Sequence, residues 1–306
     1  MSCPNRRKRL GLHTMWSSSR QAKILTHSTV ERPYVSETAM FAAQGAKIRS
    51  ACLSRQVGAS IVNENGEVIS QGTNEVPQAG GGVYGSSDLD PGETDDGRCV
   101  HLNRFCSNTR VQYEIIDNII KSLRGSEGVT NHISAIPDDV LEAALKSSPI
   151  GSLIEFSRAV HAEMDAVLSL VRRGMSAVGT RAFVTTFPCH YCARHLVAAG
   201  VSEVQFIEPY PKSKALVLHS DSITTRLSDW KRSLERRKET GESIKVLFRP
   251  FVGVAPRLYS RAFTKTRELK DERGSFKIGR QEWTGPTHLG HRSYTELEAQ
   301  LARAEP

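Results

Sequence analysis

Two short motifs constrain this chain more than any other feature. His161-Ala162-Glu163 comes first, and Pro188-Cys189-His190-Tyr191-Cys192 follows after residues 164–187. One imidazole and two thiolates suit zinc and leave a fourth tetrahedral position open, as a catalytic rather than a structural zinc site requires. Glu163 lies two residues past His161. If a helix starts there, the Glu163 carboxylate comes near the open fourth position without itself binding the metal. The sequence predicts Zn²⁺ bound by His161, Cys189 and Cys192, with Glu163 as general acid and base.

Other interpretations of these motifs remain open. A Cys-x-x-Cys pair also occurs in structural zinc knuckles and in redox pairs, and His190 and His195 could complete a closed Cys-Cys-His-His site with the two cysteines. The spacing favours a catalytic site, because residues 164–187 suit the rest of one helix, a turn and a returning strand. A catalytically silent zinc-binding module is a further alternative, which the presence of Glu163 disfavours.

The composition predicts a globular cytoplasmic protein without a membrane partner. The 306 residues are 39% hydrophobic and contain no apolar run of membrane-spanning length. The amino-terminal segment MSCPNRRKRLGL is basic, but no apolar stretch follows it, so it is not a secretory signal. Six cysteines are scattered along the chain, which favours a reducing compartment over a disulfide framework.

The charge is unevenly distributed along the chain. The net charge of +8 divides into +6 for residues 1–32, −5 for residues 33–230 and +7 for residues 231–306. A protein that edits nucleic acid more usually places basic residues around its active-site cleft. The mildly acidic middle therefore argues against a nucleic-acid substrate.

The order of hydrophobic patterns predicts an α/β fold with three α/β/α layers around one mixed five-stranded sheet. We expect residues 1–32 to form a basic flexible arm and residues 263–306 a polar, charged tail. The catalytic domain would span residues 33–262, with a long insertion at 74–155. Within it we expect helices and strands in the following places: a helix from Ser36, a hairpin of Val57–Val62 and Glu67–Thr73, helices at Ser107–Leu123 and Asp138–Lys146, a helix from about Val160, a strand at Arg181–Thr186, a helix at Cys189–Ala199, a strand at Val204–Ile207, a short helix to His219 and a strand at Ser243–Phe248.

The H-x-E…P-C-x-x-C order is a known signature of zinc-dependent nucleobase deaminases, and the chain resembles the cytidine/deoxycytidylate deaminase superfamily over about residues 36–262. The likeness is closest to the deoxycytidylate branch, and within it to the deaminase domain of bacterial anti-phage dCTP deaminases. Those enzymes also carry a P-loop domain, whereas this sequence contains no G-x-x-x-x-G-K-[ST] motif. The segments that carry the likeness are Gln56–Val62, Gly72–Pro77, Gly80–Tyr84, Phe187–His195 and Glu208–Ala215.

The resemblance implies a cytidine deaminase-like fold and several substrate contacts. Asn74 would bind the sugar, although an Asn after a strand is also a common turn residue. Lys212 or Lys214 and the glycine-rich loop at 78–85 would hold phosphate, with solvated lysines and a flexible loop as the alternatives. Tyr210 would pack on the nucleotide or lie at the rim. The remaining expected contacts, made largely through backbone groups at the pyrimidine edge, are Ala162, Thr185, Thr186 and Pro188.

A second, structural zinc is a further expectation from the resemblance. Cys99, His101 and Cys106 lie close together in the insertion, and His132 could be a fourth ligand. Three candidates do not close a tetrahedral site, so ordinary loop cysteines are the favoured interpretation.

Together these features predict zinc-dependent hydrolysis of a free deoxycytidine nucleotide, dCTP and/or dCMP, to the deoxyuridine nucleotide and ammonia. The resemblance adds a role in anti-phage nucleotide depletion, a nucleotide effector (dTTP or dCTP) and a homo-oligomer. The competing prediction is a polynucleotide deaminase that acts on single-stranded DNA or tRNA, with the basic ends as grips.

Overall fold

The computed structural model describes residues 20–24, 29–85, 96–102, 104–230, 245–265 and 268–277. Residues 1–19 of the expected arm and residues 278–306 of the expected tail lie outside this part. The chain divides into two compact units: Thr38–Val252, and Met1–Glu37 with Gly253–Pro306. In the described residues, no helix is both long and apolar enough to cross a membrane.

The larger unit contains a mixed sheet of six strands. Its order is β2-β1-β3-β4-β6-β5, with β1 antiparallel to β2 and β3 and with parallel pairing from β3 through β4 and β6 to β5. The predicted fold class is confirmed, but the strand count is six rather than five. The additional strand, Ile223–Thr224, is too short to show a pattern in the sequence and is defined by its pairing with Val246 and Leu247. The strands are β1 (Gly58–Val62), β2 (Val68–Thr73), β3 (Arg181–Thr186), β4 (Glu203–Glu208), β5 (Ile223–Thr224) and β6 (Val246–Pro250).

Helices cover both faces of this sheet, as expected for three layers. On β3, Ala182 and Val184 face one cluster of buried residues and Phe183 faces the other, because successive side chains of a strand alternate. The first cluster packs under α6 (Ala162–Arg172) and α7 (His190–Ala198), and the second packs under α1 (Val35–Ile48). The helices are α1 (Val35–Ile48), α2 (Cys99–Leu102), α3 (Ser107–Arg124), α4 (Glu127–Ile133), α5 (Asp138–Ser147), α6 (Ala162–Arg172), α7 (His190–Ala198), α8 (Ala215–Leu218) and α9 (Pro256–Phe263).

The position of α6 is fixed by strand β2. A Cβ atom at Gly72 would lie 2.1 Å from the carbonyl oxygen of Ala162 and 2.3 Å from the amide nitrogen of Ala166, so only glycine permits this approach. The Ser70 hydroxyl donates to the Ala166 carbonyl at 2.7 Å, and the Thr73 amide donates to Asp165 Oδ2 at 3.0 Å. These contacts fix the height of the helix start above the sheet.

The insertion leaves and rejoins the sheet at one point. The Glu75 and Val160 backbones pair antiparallel, with amide-to-carbonyl distances of 3.2 and 2.9 Å. Between them, helix α3 holds the returning segment, because the Asn108 and Gln112 side-chain amides both donate to the Leu153 carbonyl. The insertion is therefore an excursion that returns directly to the first motif.

The smaller unit is organised around a buried carboxylate. Arg20 donates to both oxygens of Glu37, at 2.7 and 2.9 Å, and the Val254 amide donates to Glu37 Oε1 at 2.8 Å. The Arg20 guanidinium also lies 3.8 Å from the centre of the Tyr34 ring. This part of the expected arm has a defined structure.

Candidate active site

Three metal-binding side chains meet at the ends of two helices. The Nδ1 atom of His161 lies 3.3 Å from Cys189 Sγ and 3.3 Å from Cys192 Sγ. The ligand atoms of the three residues all lie within 4.8 Å of one another. Two soft sulfur donors and one imidazole on one side of a cation suit zinc and leave room for a fourth ligand.

Each helix supplies its ligands from its amino-terminal end. His161 is the N-cap of α6, and Cys189 is the N-cap of α7, where its sulfur accepts the Cys192 amide at 3.4 Å. The residues before Cys189 are fixed by β4, because the Phe187 amide donates to the Glu208 carbonyl at 2.7 Å. Ligand sites of α/β proteins lie at the carboxyl ends of parallel strands, and β3 and β4 both end here.

The protein environment separates the proton affinities of these groups. The Cys192 hydrogen bond, with His161 nearby, lowers the pKa of the Cys189 thiol to about 4. The same hydrogen bond and burial raise the pKa of Cys192 well above its usual value. The hydrogen bond with Cys189 raises the pKa of His161 to about 8. Helix amino termini also favour a thiolate over a thiol, as zinc binding requires.

Glu163 lies two residues after His161, in the first turn of α6. Its side chain is only 5% exposed but borders a cavity, and burial raises the pKa of its carboxyl group to about 7. A carboxyl group with a pKa near neutrality can both accept and return a proton during a reaction cycle. The structure therefore places the predicted acid–base group beside the predicted metal ligands.

A cavity of about 810 Å³ is lined by His161, Glu163 and Cys189. This volume falls in the range of small-molecule binding sites. Its wall combines the two motifs, the loop before β1, the segment after β4 and much of the insertion. Four of the expected substrate contacts line it: Asn74, Thr186, Tyr210 and Lys212.

Asn74 uses its side-chain amide within the protein. Its Oδ1 accepts the Val57 amide at 2.5 Å, and its Nδ2 donates to the Arg55 carbonyl at 2.6 Å. Its own carbonyl accepts the Ser50 hydroxyl at 2.7 Å. Asn74 therefore holds the cavity-lining loop in place. Its side-chain Oδ1 and Nδ2 atoms each keep one further hydrogen-bonding position.

The other expected substrate contacts are not among the described residues that line the cavity. Thr185 turns to the opposite side of β3 from Thr186, and its hydroxyl accepts the Gly58 amide at 3.1 Å. Ala162 is fully buried at the start of α6, and the Pro188 carbonyl accepts the Ser213 hydroxyl at 2.8 Å. Lys214 precedes α8 and does not line the cavity.

The glycine-rich loop at 78–85 lies away from the cavity. A Cβ atom at Gly81 would lie 2.8 Å from the Arg172 side chain, near the carboxyl-terminal end of α6. The ligands lie at the other end of that helix. The structure therefore does not bring this loop to the cavity as a phosphate-binding element.

Several cavity residues were missed by the sequence interpretation. Arg55, Lys146 and Arg158 line the cavity, although they are ordinary charged residues in their sequence context. The hydroxyl of Thr186 is buried and has no hydrogen-bond partner in the described residues. No sequence motif surrounds Arg55, Lys146 or Arg158. Their place in the cavity wall is therefore evident only from the folded insertion and the folded loop before β1.

The described residues do not assemble a second zinc site. Only His161, Cys189 and Cys192 among them bring three metal-binding side chains within 4.8 Å. In the insertion, Cys106 lies 3.5 Å from the Ser54 hydroxyl, and His101 lies 3.4 Å from Asp96 Oδ2.

The alternative closed site of Cys189, Cys192, His190 and His195 is not formed either. His195 Nδ1 lies 2.6 Å from the Tyr191 carbonyl oxygen. The buried Nδ1 atom of His190 has no hydrogen-bond partner in the described part of the chain. Neither imidazole joins the cluster of His161 and the two cysteines.

Comparison with known proteins finds similar sequences and a similar solved structure. Deoxycytidylate deaminase of Enterobacteria phage T2 is 27% identical over 169 residues, covering 54% of this chain and 75% of that protein. A probable deoxycytidylate deaminase of Drosophila melanogaster is 32% identical over 80 residues, covering 26% and 38% of the two chains. The solved structure of dCMP deaminase from cyanophage S-TIM5 in complex with dCMP and dUMP matches with a TM-score of 0.38 and 17% identity, covering 72% and 99%.

The family model for the cytidine and deoxycytidylate deaminase zinc-binding region matches residues 33–208. This range covers more than half of the chain and includes the three ligands that meet in the structure. The expected zinc cofactor is thereby confirmed. The chain belongs to the cytidine and deoxycytidylate deaminase family.

Proposed function

We propose that this protein deaminates a free deoxycytidine nucleotide, dCMP and/or dCTP, to the corresponding deoxyuridine nucleotide and ammonia. The observation that carries the proposal is the position of Glu163, a buried carboxyl group beside three metal-binding side chains at the edge of a nucleotide-sized cavity. The similarity to phage and insect deoxycytidylate deaminases supports dCMP as one substrate.

His161, Cys189 and Cys192 are the residues that would hold the zinc ion, since their donor atoms converge and suit that metal. A bound zinc ion supplies an acidic water, and hence a nucleophile, at neutral pH. Glu163 would accept a proton from the attacking water and pass it to N3 of the pyrimidine as the water oxygen bonds to C4. Glu163 would then take the hydroxyl proton from the oxygen added at C4 and give it to the amino group, so that the C4–O double bond forms, the bond between C4 and nitrogen breaks, and ammonia leaves.

The surrounding protein binds and orients the nucleotide. Thr186 offers a buried hydroxyl at the end of β3, and Tyr210 lines the cavity, half-buried, on the segment after β4. Asn74 can offer the sugar its remaining hydrogen-bonding positions while it holds the loop at residues 55–57.

A polynucleotide deaminase is the second candidate. The basic segments 1–32 and 231–306 favour it, because cationic segments bind phosphate backbones without sequence preference. The mildly acidic region at 33–230 disfavours it. The test is direct: zinc-loaded protein is incubated with dCMP, dCTP, CMP, CTP and single-stranded DNA, and uracil products are quantified.

Free deoxynucleotides should be the fastest substrates, and deletion of residues 1–19 should leave their turnover within about twofold of the full chain. Faster deamination of single-stranded DNA, or loss of activity on this deletion, would favour the polynucleotide alternative. No uracil product from any substrate would refute deamination altogether.

Four further properties belong to the same proposal. We propose that the protein works in the cytoplasm, because cysteines scattered along a large chain favour a reducing compartment over a disulfide framework. We also propose a homo-oligomer with a nucleotide effector, dTTP or dCTP, and a role in depleting deoxycytidine nucleotides during phage infection. Mass measurement in solution, with and without each nucleotide, tests the assembly and the effector.

A further inference from the structure

Three cations on the cavity wall lack acidic partners. Lys146, Arg158 and Lys212 all line the cavity, and in the described part of the chain none has a carboxylate within 4.0 Å. Arg55, which also lines it, is different: its guanidinium lies 3.7 Å from Glu208. The three unpaired cations are called the cationic wall below.

The contacts of the cationic wall do not neutralise its charge. Arg158 Nη1 lies 3.8 Å from Cys99 Sγ, and Lys146 Nζ lies 3.6 Å from the centre of the Tyr113 ring. Lys212 Nζ lies 3.5 Å from the Gly151 carbonyl oxygen. Lys146 and Arg158 are half-buried. Partial burial of an unpaired cation is unfavourable, so an anion in the cavity would stabilise this arrangement.

Both acidic residues that line the same cavity, Glu75 and Glu163, already have other roles. The oxygens of Glu75, which is 1% exposed, accept the Ala51 amide at 2.7 Å and the Val76 amide at 2.9 Å. Glu163 lies beside the metal ligands and serves the chemistry. The cavity therefore has a catalytic end with a carboxyl group and a wall with uncompensated positive charge.

Two of the three cations come from neighbouring segments. A Cβ atom at Gly151 would lie 1.9 Å from the Lys146 carbonyl oxygen, so the segments at 146 and 151 are in direct contact. Lys212 contacts Gly151 from the segment after β4. Arg158 lies three residues before His161 in the sequence. The insertion thus carries positive charge to the cavity that also holds the catalytic residues.

We propose that the cationic wall binds the phosphate chain of the nucleotide, and that its charge suits a triphosphate better than a monophosphate. This inference rests on the proposed function. A monophosphate carries roughly two negative charges at pH 7, and a triphosphate carries about twice as many. Three cations therefore exceed what one phosphate neutralises. Arg158 can form paired hydrogen bonds to phosphate oxygens, whereas the lysines act as point charges.

The test compares charge-removing variants on three substrates. Lys146→Gln, Arg158→Gln and the double variant are assayed in zinc-loaded protein with dCTP, dCMP and deoxycytidine. Each single change should raise the KM for dCTP roughly tenfold, raise the KM for dCMP by a smaller factor and leave kcat nearly unchanged. Deoxycytidine has no phosphate, so its turnover should stay within about twofold.

Lys121→Gln is the matched control. Lys121 is exposed on α3, belongs to the same insertion and does not line the cavity. This variant removes the same charge and should leave all three KM values unchanged. Three results would overturn the proposal that the cationic wall binds phosphate. They are an equal KM shift in Lys121→Gln, an equal KM shift for all three substrates, or an unchanged KM for dCTP in the double variant.

Binding of the product nucleotides separates this inference from the proposed function. Calorimetric titration with dUTP and dUMP measures phosphate binding without turnover. Weaker dUTP binding in the double variant would support the cationic wall even if the wild-type protein deaminated none of the three substrates. If the double variant deaminated normally and bound dUTP as tightly as the wild-type protein, the proposed function would stand and phosphate binding by the cationic wall would be rejected.

Discussion

His161 and Cys189 lie opposite each other at the amino ends of two different helices, with Nδ1 3.3 Å from Sγ. Each residue is the N-cap of its helix, so neither is placed by helical geometry alone. Their separation depends on how β2 holds α6 and on how β4 holds the segment before α7. Metal binding is therefore coupled to the packing of the whole sheet.

Loss of any one ligand should remove the metal. The Cys192→Ser variant should fall from about one zinc ion per chain to almost none, because two remaining ligands do not make a stable tetrahedral site. It should also unfold at a lower temperature, since zinc binding contributes to folding free energy. Elemental analysis and thermal melting measure both effects.

Cys99→Ser is the control for that variant, because Cys99 lines the cavity without joining the ligand cluster. It should keep its zinc and its melting temperature. Zinc loss from Cys99→Ser equal to that from Cys192→Ser would mean that the metal is bound elsewhere.

Glu163 should be dispensable for zinc binding but not for turnover. Glu163→Gln keeps the size of the side chain and removes its proton-accepting oxygen, so the zinc content should stay at the wild-type level. Loss of positioned proton transfer should lower kcat by roughly 10²–10⁴-fold. Glu64→Gln, an exposed change in the turn of the β1–β2 hairpin, should have no effect. A Glu163→Gln rate above about a tenth of the wild-type rate would contradict the assigned role.

Asn74 offers a test of stability against substrate binding. Asn74→Ala leaves the Val57 amide and the Arg55 carbonyl without partners, which should lower the free energy of unfolding by about 1–3 kcal/mol. Asn74→Asp keeps an acceptor for Val57 and should lose less. Urea unfolding of both variants measures the difference. An unchanged free energy of unfolding, with a raised KM, would instead indicate that Asn74 acts only on the nucleotide.

The sequence predicted the chemistry of the site better than its walls. The ligands and Glu163 follow from donor type and spacing, and β3 occurs at Arg181–Thr186 as expected. Both Thr185 and Thr186 were expected to contact substrate, but successive residues of a strand face opposite sides and the sequence alone does not fix which one faces the cavity. Only Thr186 lines it.

The cationic wall was harder to predict because its residues come from separate segments. Lys146 and Arg158 lie in a polar insertion where charged side chains are usually solvated. Their position depends on α3 holding Leu153 and on the pairing of Glu75 with Val160. Contacts of this kind between distant residues leave no local pattern in a single sequence.

Gly72 should control activity from outside the cavity, since its Cβ would overlap α6 at Ala162 and Ala166. In Gly72→Ala the helix must move away from β2, which should lower the free energy of unfolding by about 1–3 kcal/mol. The same movement displaces His161 and Glu163, and misplacement of about 1 Å can lower turnover roughly a hundredfold.

Gly45→Ala is the matched control, because nothing lies within 4 Å of its Cβ position in α1. That change should leave turnover intact and stabilise the helix by up to about 1 kcal/mol. Unfolding and zinc-loaded rate measurements on both variants test the relationship, and wild-type behaviour of Gly72→Ala would show that β2 does not position the catalytic helix.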